Sequence, residues 1–219
     1  MKTKLNITFA ELYKNCIFSS IAHAISNLAN PFFSYEQSWD GINYSFQYGT
    51  ARGTITFDVS NHVLVGAARE ETSRRRDWYP EYKALNLFKD APEKAKLLAV
   101  NEALEYLYDD ANGVSMPMAT VAFWNEDNDI FLSDKVNDFH SNGGEFVLNI
   151  AIDHHGLRKF LAEQYRFSSE EFKVAEYLFD CLKNGKLKIN HKEVCIINKR
   201  CEGYKECLES LGELGISIE

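Results

Sequence analysis

The chain has 219 residues, 45% of them hydrophobic and 26% charged, which is ordinary for a globular protein and enough to bury a real core. A net charge of −8 disfavours a nucleic-acid binder, which normally shows a basic footprint, and suits a basic protein partner reached by electrostatic steering. No apolar run is long enough to span a bilayer. Five cysteines, an odd number in a long chain, argue against a disulfide framework and for a reducing compartment, with the cytoplasm as the default. Met1-Lys2-Thr3-Lys4 could open a signal peptide, but Asn6, Glu11, Lys14 and Asn15 interrupt any apolar segment behind it.

Thr8 and Glu11 have capping-box spacing, and Ile7 and Leu12 can staple the entry. Phe9, Leu12, Cys16, Ile21, Ile25 and Leu28 then form one apolar stripe, which predicts a helix over 9–28 ended by Asn30-Pro31. Phe32, Phe33 and Tyr35 read as a short strand leading into a β-meander. In that meander Tyr44, Phe46 and Tyr48 alternate with Ser45 and Gln47, so one face is aromatic and the other polar. Residues 53–57 alternate threonine with large apolar side chains, and 62–67 are more continuously apolar, which predicts the central strand. Both connections are short, so the three strands should pair antiparallel.

After an irregular stretch at 80–89, Asp90 and Glu93 form another capping pair. Leu97, Val100, Leu104 and Leu107 predict the buried stripe of a helix over 91–108, stopped by 109–113. A strand over 118–124, a turn and a return strand at 130–132 follow. Asn142-Gly143-Gly144 is a break, and 145–152 is apolar enough to read as a further strand. Asp153 caps a helix over 154–165. Ser168 and Glu171 open the next, with Phe172, Ala175, Phe179 and Leu182 inward. Asn190 and Glu193 make a last capping pair, and a final helix covers 203–212. The expected fold is a single α+β domain, an antiparallel meander sheet packed against helices, with the helical region from about Asp153 as a candidate subdomain.

The dense basic cluster of this acidic chain is Arg52, Arg69, Arg74, Arg75 and Arg76, with Trp78 beside it. Arginine forks suit phosphate and carboxylate, and aromatics beside arginines are enriched in binding patches. Together with Trp39 and Asp40 these residues are the candidate partner- or anion-binding set. Asp153-His154-His155 matches the triplet that names the DHH phosphoesterases, but the upstream Asp-x-Asp of that family is missing from its proper context, and helix capping accounts for the triplet. His191, Cys195, Cys201 and Cys207 lack the close cysteine pairs of zinc sites. Cys16 and His23 are seven residues apart on one predicted helix, facing the same way without touching. No nucleophile elbow or phosphate loop is present. No catalytic residue, metal or cofactor is therefore expected.

Ser38-Trp39-Asp40-Gly41, Asn43-Tyr44-Ser45, Arg52-Gly53-Thr54-Ile55-Thr56-Phe57, Val65-Gly66-Ala67-Ala68-Arg69 and Ala122-Phe123-Trp124 resemble a pattern in uncharacterised bacterial proteins. Small, acidic proteins of this sort are similar to immunity proteins that neutralise polymorphic bacterial toxins. The resemblance implies a non-catalytic inhibitor whose acidic face covers a basic toxin domain. The alternative is an enzyme with a dispersed active site, holding an anionic substrate at the arginines.

Overall fold

The computed structural model describes residues 2–219, the side chains of Ser34 and Tyr35 excepted; Met1 of the leader-like opening lies outside it. The first elements are β1 (Thr3–Thr8), α1 (Phe9–Ser26), β2 (Gln37–Trp39), β3 (Asn43–Tyr48), β4 (Ala51–Asp58) and β5 (Val63–Glu70). The middle of the chain holds α2 (Glu93–Asn101), β6 (Tyr108–Ala111), β7 (Val114–Pro117), β8 (Val121–Glu126), β9 (Asp129–Leu132), α3 (Val136–Phe139) and α4 (Glu145–Ile150). The last elements are α5 (His154–Tyr165), α6 (Ser169–Lys183), β10 (Lys188–Ile189), α7 (Tyr204–Glu213) and β11 (Ser217–Ile218). This is the α+β architecture with a helical C-terminal region that the sequence predicts. Two compact units are present, one of residues up to Tyr13 with Ile42–Ile152, the other of Lys14–Gly41 with Asp153–Glu219.

In the first unit the strands of the large antiparallel sheet run in the order β1-β9-β8-β5-β4-β3. The predicted meander is β3 to β5, and β5 is central as expected, flanked by β4 and β8. Two strand glycines make room for rings on one face. A Cβ on Gly66 would fall 2.1 Å from Phe123 Cζ, and one on Gly53 would fall 2.4 Å from Phe46 Cζ. On that face Phe46 stacks on Phe146 at 4.8 Å between centroids, and Tyr44 lies 6.3 Å from the same ring. The opposite face, with Val63, Val65, Ala67 and Trp124, packs against Ala95, Ala99 and Ala103.

Four expectations need correction. The helix over 91–108 is shorter, since α2 gives way to a 3-10 turn at Ala103–Leu107, and its phase is different. Leu97 and Val100 are 62% and 48% exposed, whereas Ala95 and Ala99 are fully buried. Small side chains let the helix lie close on the sheet, where a leucine stripe would hold it off. The N-cap position is Pro92, with no capping hydrogen bond from Asp90. The expected strand over 145–152 is helix α4. Phe146 and Ile150, four apart, are both buried, and a short apolar run does not distinguish strand from buried helix. The segment Pro31–Tyr35 is a 3-10 turn instead of a strand.

The hairpin β6–β7 was not anticipated. Its turn is Asn112-Gly113, both at positive φ, which is the type I′ signal for a two-residue hairpin loop.

The second unit is built on α1 from Lys14 onward. Every residue over 15–28 is buried. Phe18 meets Phe172 and Phe179 of α6 at 6.0 and 5.2 Å. The predicted caps are in place: the Ser168–Glu171 and Asn190–Glu193 boxes are reciprocal, and Asp153 accepts from Gly156 N. At the start of α7, a Cβ on Gly203 would fall 1.6 Å from Asn27 O, so only glycine permits this approach of two backbones.

Candidate functional site

The arginine cluster forms in the first unit because β4 and β5 pair with Arg52 directly opposite Arg69. Two like charges at such a position repel, and Glu71 lies between them. Its Oε1 accepts from Arg69 Nη2 at 2.9 Å and from Arg52 Nη2 at 3.3 Å, while Oε2 lies 2.8 Å from Arg76 Nη1. Asp109, at the hairpin, lies 2.6 Å from Arg69 Nη1, an ion contact without hydrogen-bond alignment, and accepts from Arg76 Nη2 at 3.3 Å. Arg69 is 1% exposed.

Arg75 points elsewhere and grips Asp134 with both Nη atoms, at 2.9 and 2.8 Å. Burial pushes the Asp134 carboxyl up, but the hydrogen bonds from Arg75 and Ser133 outweigh it and hold the group below its usual range. The guanidinium of Arg75 also lies over Trp78 at 5.3 Å, and that indole is 42% exposed. Arg74 is exposed and, among the described residues, has no ion pair. The predicted arginines therefore split into a group around Glu71 and a separate Arg75–Trp78 pair. Trp39 and Asp40 belong to the second unit.

The feature that sequence reasoning passed over lies in that second unit. Asn15, Ser19 and His23 recur every four residues along α1, which places them on one helix face, Asn27 continues the spacing just past the helix end, and all four are buried. Among the described residues Ser19 Oγ, His23 Nε2 and Asn27 Oδ1 have no hydrogen-bond partner. Such groups are costly, by ~1–3 kcal/mol each, and each one in a native fold calls for an explanation. Next to them is a small cavity of about 10 Å³, lined among others by Ser20, His23, Gln37, Trp39, Ser210 and Glu213.

The wall of this cavity is a network. Gln37 Nε2 donates to Tyr165 Oη, and Tyr165 Oη lies 3.3 Å from His23 Nδ1. Burial lowers the His23 pKa to about 4, so the imidazole is neutral near pH 7. Burial also pushes the Tyr165 phenol well above its ordinary value. At the other side, Trp39 N donates to Glu213 Oε2 at 3.2 Å. Burial pushes the Glu213 carboxyl up, the Trp39 N–H opposes this, and the like charges of Asp40 and Glu209 add to it. Trp39 itself is 4% exposed, so it is a wall of the unit and not a surface residue, while Asp40 is exposed.

The remaining candidates hold no constellation. His154 stacks on Phe179 at 6.0 Å, and Asp153 serves as the cap of α5. Cys195 is exposed, and Cys207 is buried on α7. Among the described residues no group of three or more His, Cys, Asp or Glu could hold a metal ion, and no helix is long and apolar enough to cross a membrane. Comparison with protein-family models, curated proteins and solved structures finds no match.

Proposed function

We propose that this chain is a non-catalytic binding protein, and specifically a bacterial immunity protein that captures and blocks a basic toxin domain. The observation that carries the reading is the internal neutralisation of the arginine cluster. An enzyme holding an anionic substrate needs guanidinium forks open to solvent. Arg52, Arg69 and Arg76 share Glu71, Arg69 and Arg76 also share Asp109, and Arg75 is clamped by Asp134. What faces a partner is then dominated by the excess of 32 acidic over 24 basic residues. That excess accelerates encounter with a basic protein and makes the association rate fall as salt rises.

An affinity pull-down of the tagged full chain from its host, at low and high salt, tests this. A stoichiometric basic partner, captured more slowly as salt rises, is the expected result. Recovery of the protein alone at both salts, together with a melting shift caused by inorganic phosphate, would replace the reading with the anionic-substrate enzyme.

A further inference from the structure

We infer that the Trp39–Glu213 cavity of the second unit is the site of one ordered water, which relays hydrogen bonding from the buried His23 imidazole to the Glu213 carboxylate. The relay goes beyond the proposed binding role and does not depend on it. Size, polarity and hydrogen-bond direction support it.

The cavity measures about 10 Å³. A buried water needs ~10–15 Å³ of such space, so one molecule fits and nothing larger does. An apolar hole of this size stays dry, but this one is lined by Ser20, His23, Gln37, Ser38, Ser210 and Glu213 beside Trp39.

Hydrogen-bond direction follows from Tyr165. Gln37 Nε2 donates to Tyr165 Oη, so the phenol oxygen already accepts one bond. The phenol proton needs an acceptor of its own, and His23 Nδ1 lies 3.3 Å away. That gives the Nδ1 lone pair to Tyr165 and, in the neutral imidazole, leaves the ring proton on Nε2. His23 is 1% exposed and lines the cavity, and among the described residues its Nε2 has no hydrogen-bond partner.

A water in the cavity accepts from Nε2–H and has two protons to give. Ser20 Oγ spends its own proton on Cys16 O at 3.0 Å, which leaves its lone pairs as acceptors. Ser210 Oγ receives only a 3.5 Å contact from Asn27 Nδ2. Glu213 offers a carboxylate whose Oε2 already takes the Trp39 N–H at 3.2 Å. Together with His23 these groups supply the ~3 polar partners typical of a buried water. The chain of donors then runs one way, from Tyr165 on α5 through His23 on α1 and the water to Glu213 on α7. Its negative end is the exposed carboxylate, so each donor polarises the next.

NMR of the full chain with 15N-labelled histidine tests the relay. An imine-type Nδ1, an amine-type Nε2 and a dipolar contact from Nε2–H to a long-lived water are expected for His23. Ser210→Val puts a methyl group where the water sits, so 17O relaxation dispersion should count one long-lived water fewer than in wild type. Glu213→Gln keeps an acceptor for Trp39 N–H but ends the chain on a neutral oxygen, so the Nε2 proton should move upfield. A His23 proton on Nδ1, no contact of Nε2–H with water, an unchanged water count in folded Ser210→Val, or an Nε2 proton indifferent to Glu213→Gln would overturn the relay. The first two readings come from the wild-type chain, so they decide the matter even where a variant fails to fold.

Discussion

Arg69 and His23 are each 1% exposed, and they are buried on opposite terms. Arg69 lies near the end of the central strand β5 with Glu71 and Asp109 against its guanidinium, so its charge is answered at the point of burial, although its Nε has no hydrogen-bond partner among the described residues. His23 enters α1 with one nitrogen near Tyr165 and the other, among the described residues, without a partner. The first arrangement is what a charged residue must have to remain in a fold at all. The second is a local cost that other parts of the unit offset, and an unsatisfied buried nitrogen calls for an explanation that a paired charge does not. A run of arginines therefore attracts attention in the sequence, yet in the fold it is the quieter region.

Arg69→Leu removes the cation between two carboxylates, and breaking a buried ion pair from one side costs ~3–5 kcal/mol. Because Glu71 and Asp109 keep about a third of their side-chain surface in water, the lower end is expected, read from urea unfolding of wild type and variant. A loss under ~1 kcal/mol would mean that the cluster is not a structural unit.

His23 gives a pH signature. Its ordinary pKa of 6.5 falls to about 4 in the fold, so between these values the unfolded chain binds a proton that the native chain does not. Stability should fall as pH drops through that window and gain no further contribution from His23 below it. The full effect is ~3 kcal/mol. The difference in unfolding free energy between wild type and His23→Gln, measured from pH 7 to 4, should carry this slope. A flat difference would show that the imidazole is solvated.

Ser19→Ala should act with the opposite sign to Arg69→Leu. It deletes a buried hydroxyl that has no hydrogen bond among the described residues and improves helix propensity, so a gain of ~1 kcal/mol is expected in thermal melts. Destabilisation would reveal a bound water or other partner for Ser19. The smallest effect belongs to Arg74→Ala, an exposed position whose stability change should stay within ~0.5 kcal/mol.

Much of the fold was legible because local chemistry dictates it. Tyr44, Phe46 and Tyr48 alternate, and they form an aromatic face on β3. Thr8 with Glu11, Ser168 with Glu171 and Asn190 with Glu193 cap the segments they precede. Failures came where apolar residues had two good answers. Leu97 and Val100 share a period with Leu104 and Leu107, but alanines at 91, 95, 99 and 103 offer the same period, and packing distance to the sheet chose them. The Asn112-Gly113 hairpin and the four-residue polar repeat of α1 were both visible signals. The repeat was obscured because apolar residues flank it, and only burial on every side makes its polarity unusual.

Composition class and the excess of negative charge are sums over the chain, and the caps and the meander strands depend on neighbours within a few residues, so all four are readable before any fold is known. Only the tertiary structure decided which arginines are spent on Glu71, Asp109 and Asp134, and which buried polar atoms are left beside the Trp39–Glu213 cavity. Apart from Arg69 and Arg76 on the nearby Glu71, these outcomes depend on residues that approach across tens of positions in the chain. No local pattern encodes whether a charge will meet its counterion or a nitrogen will be left without one.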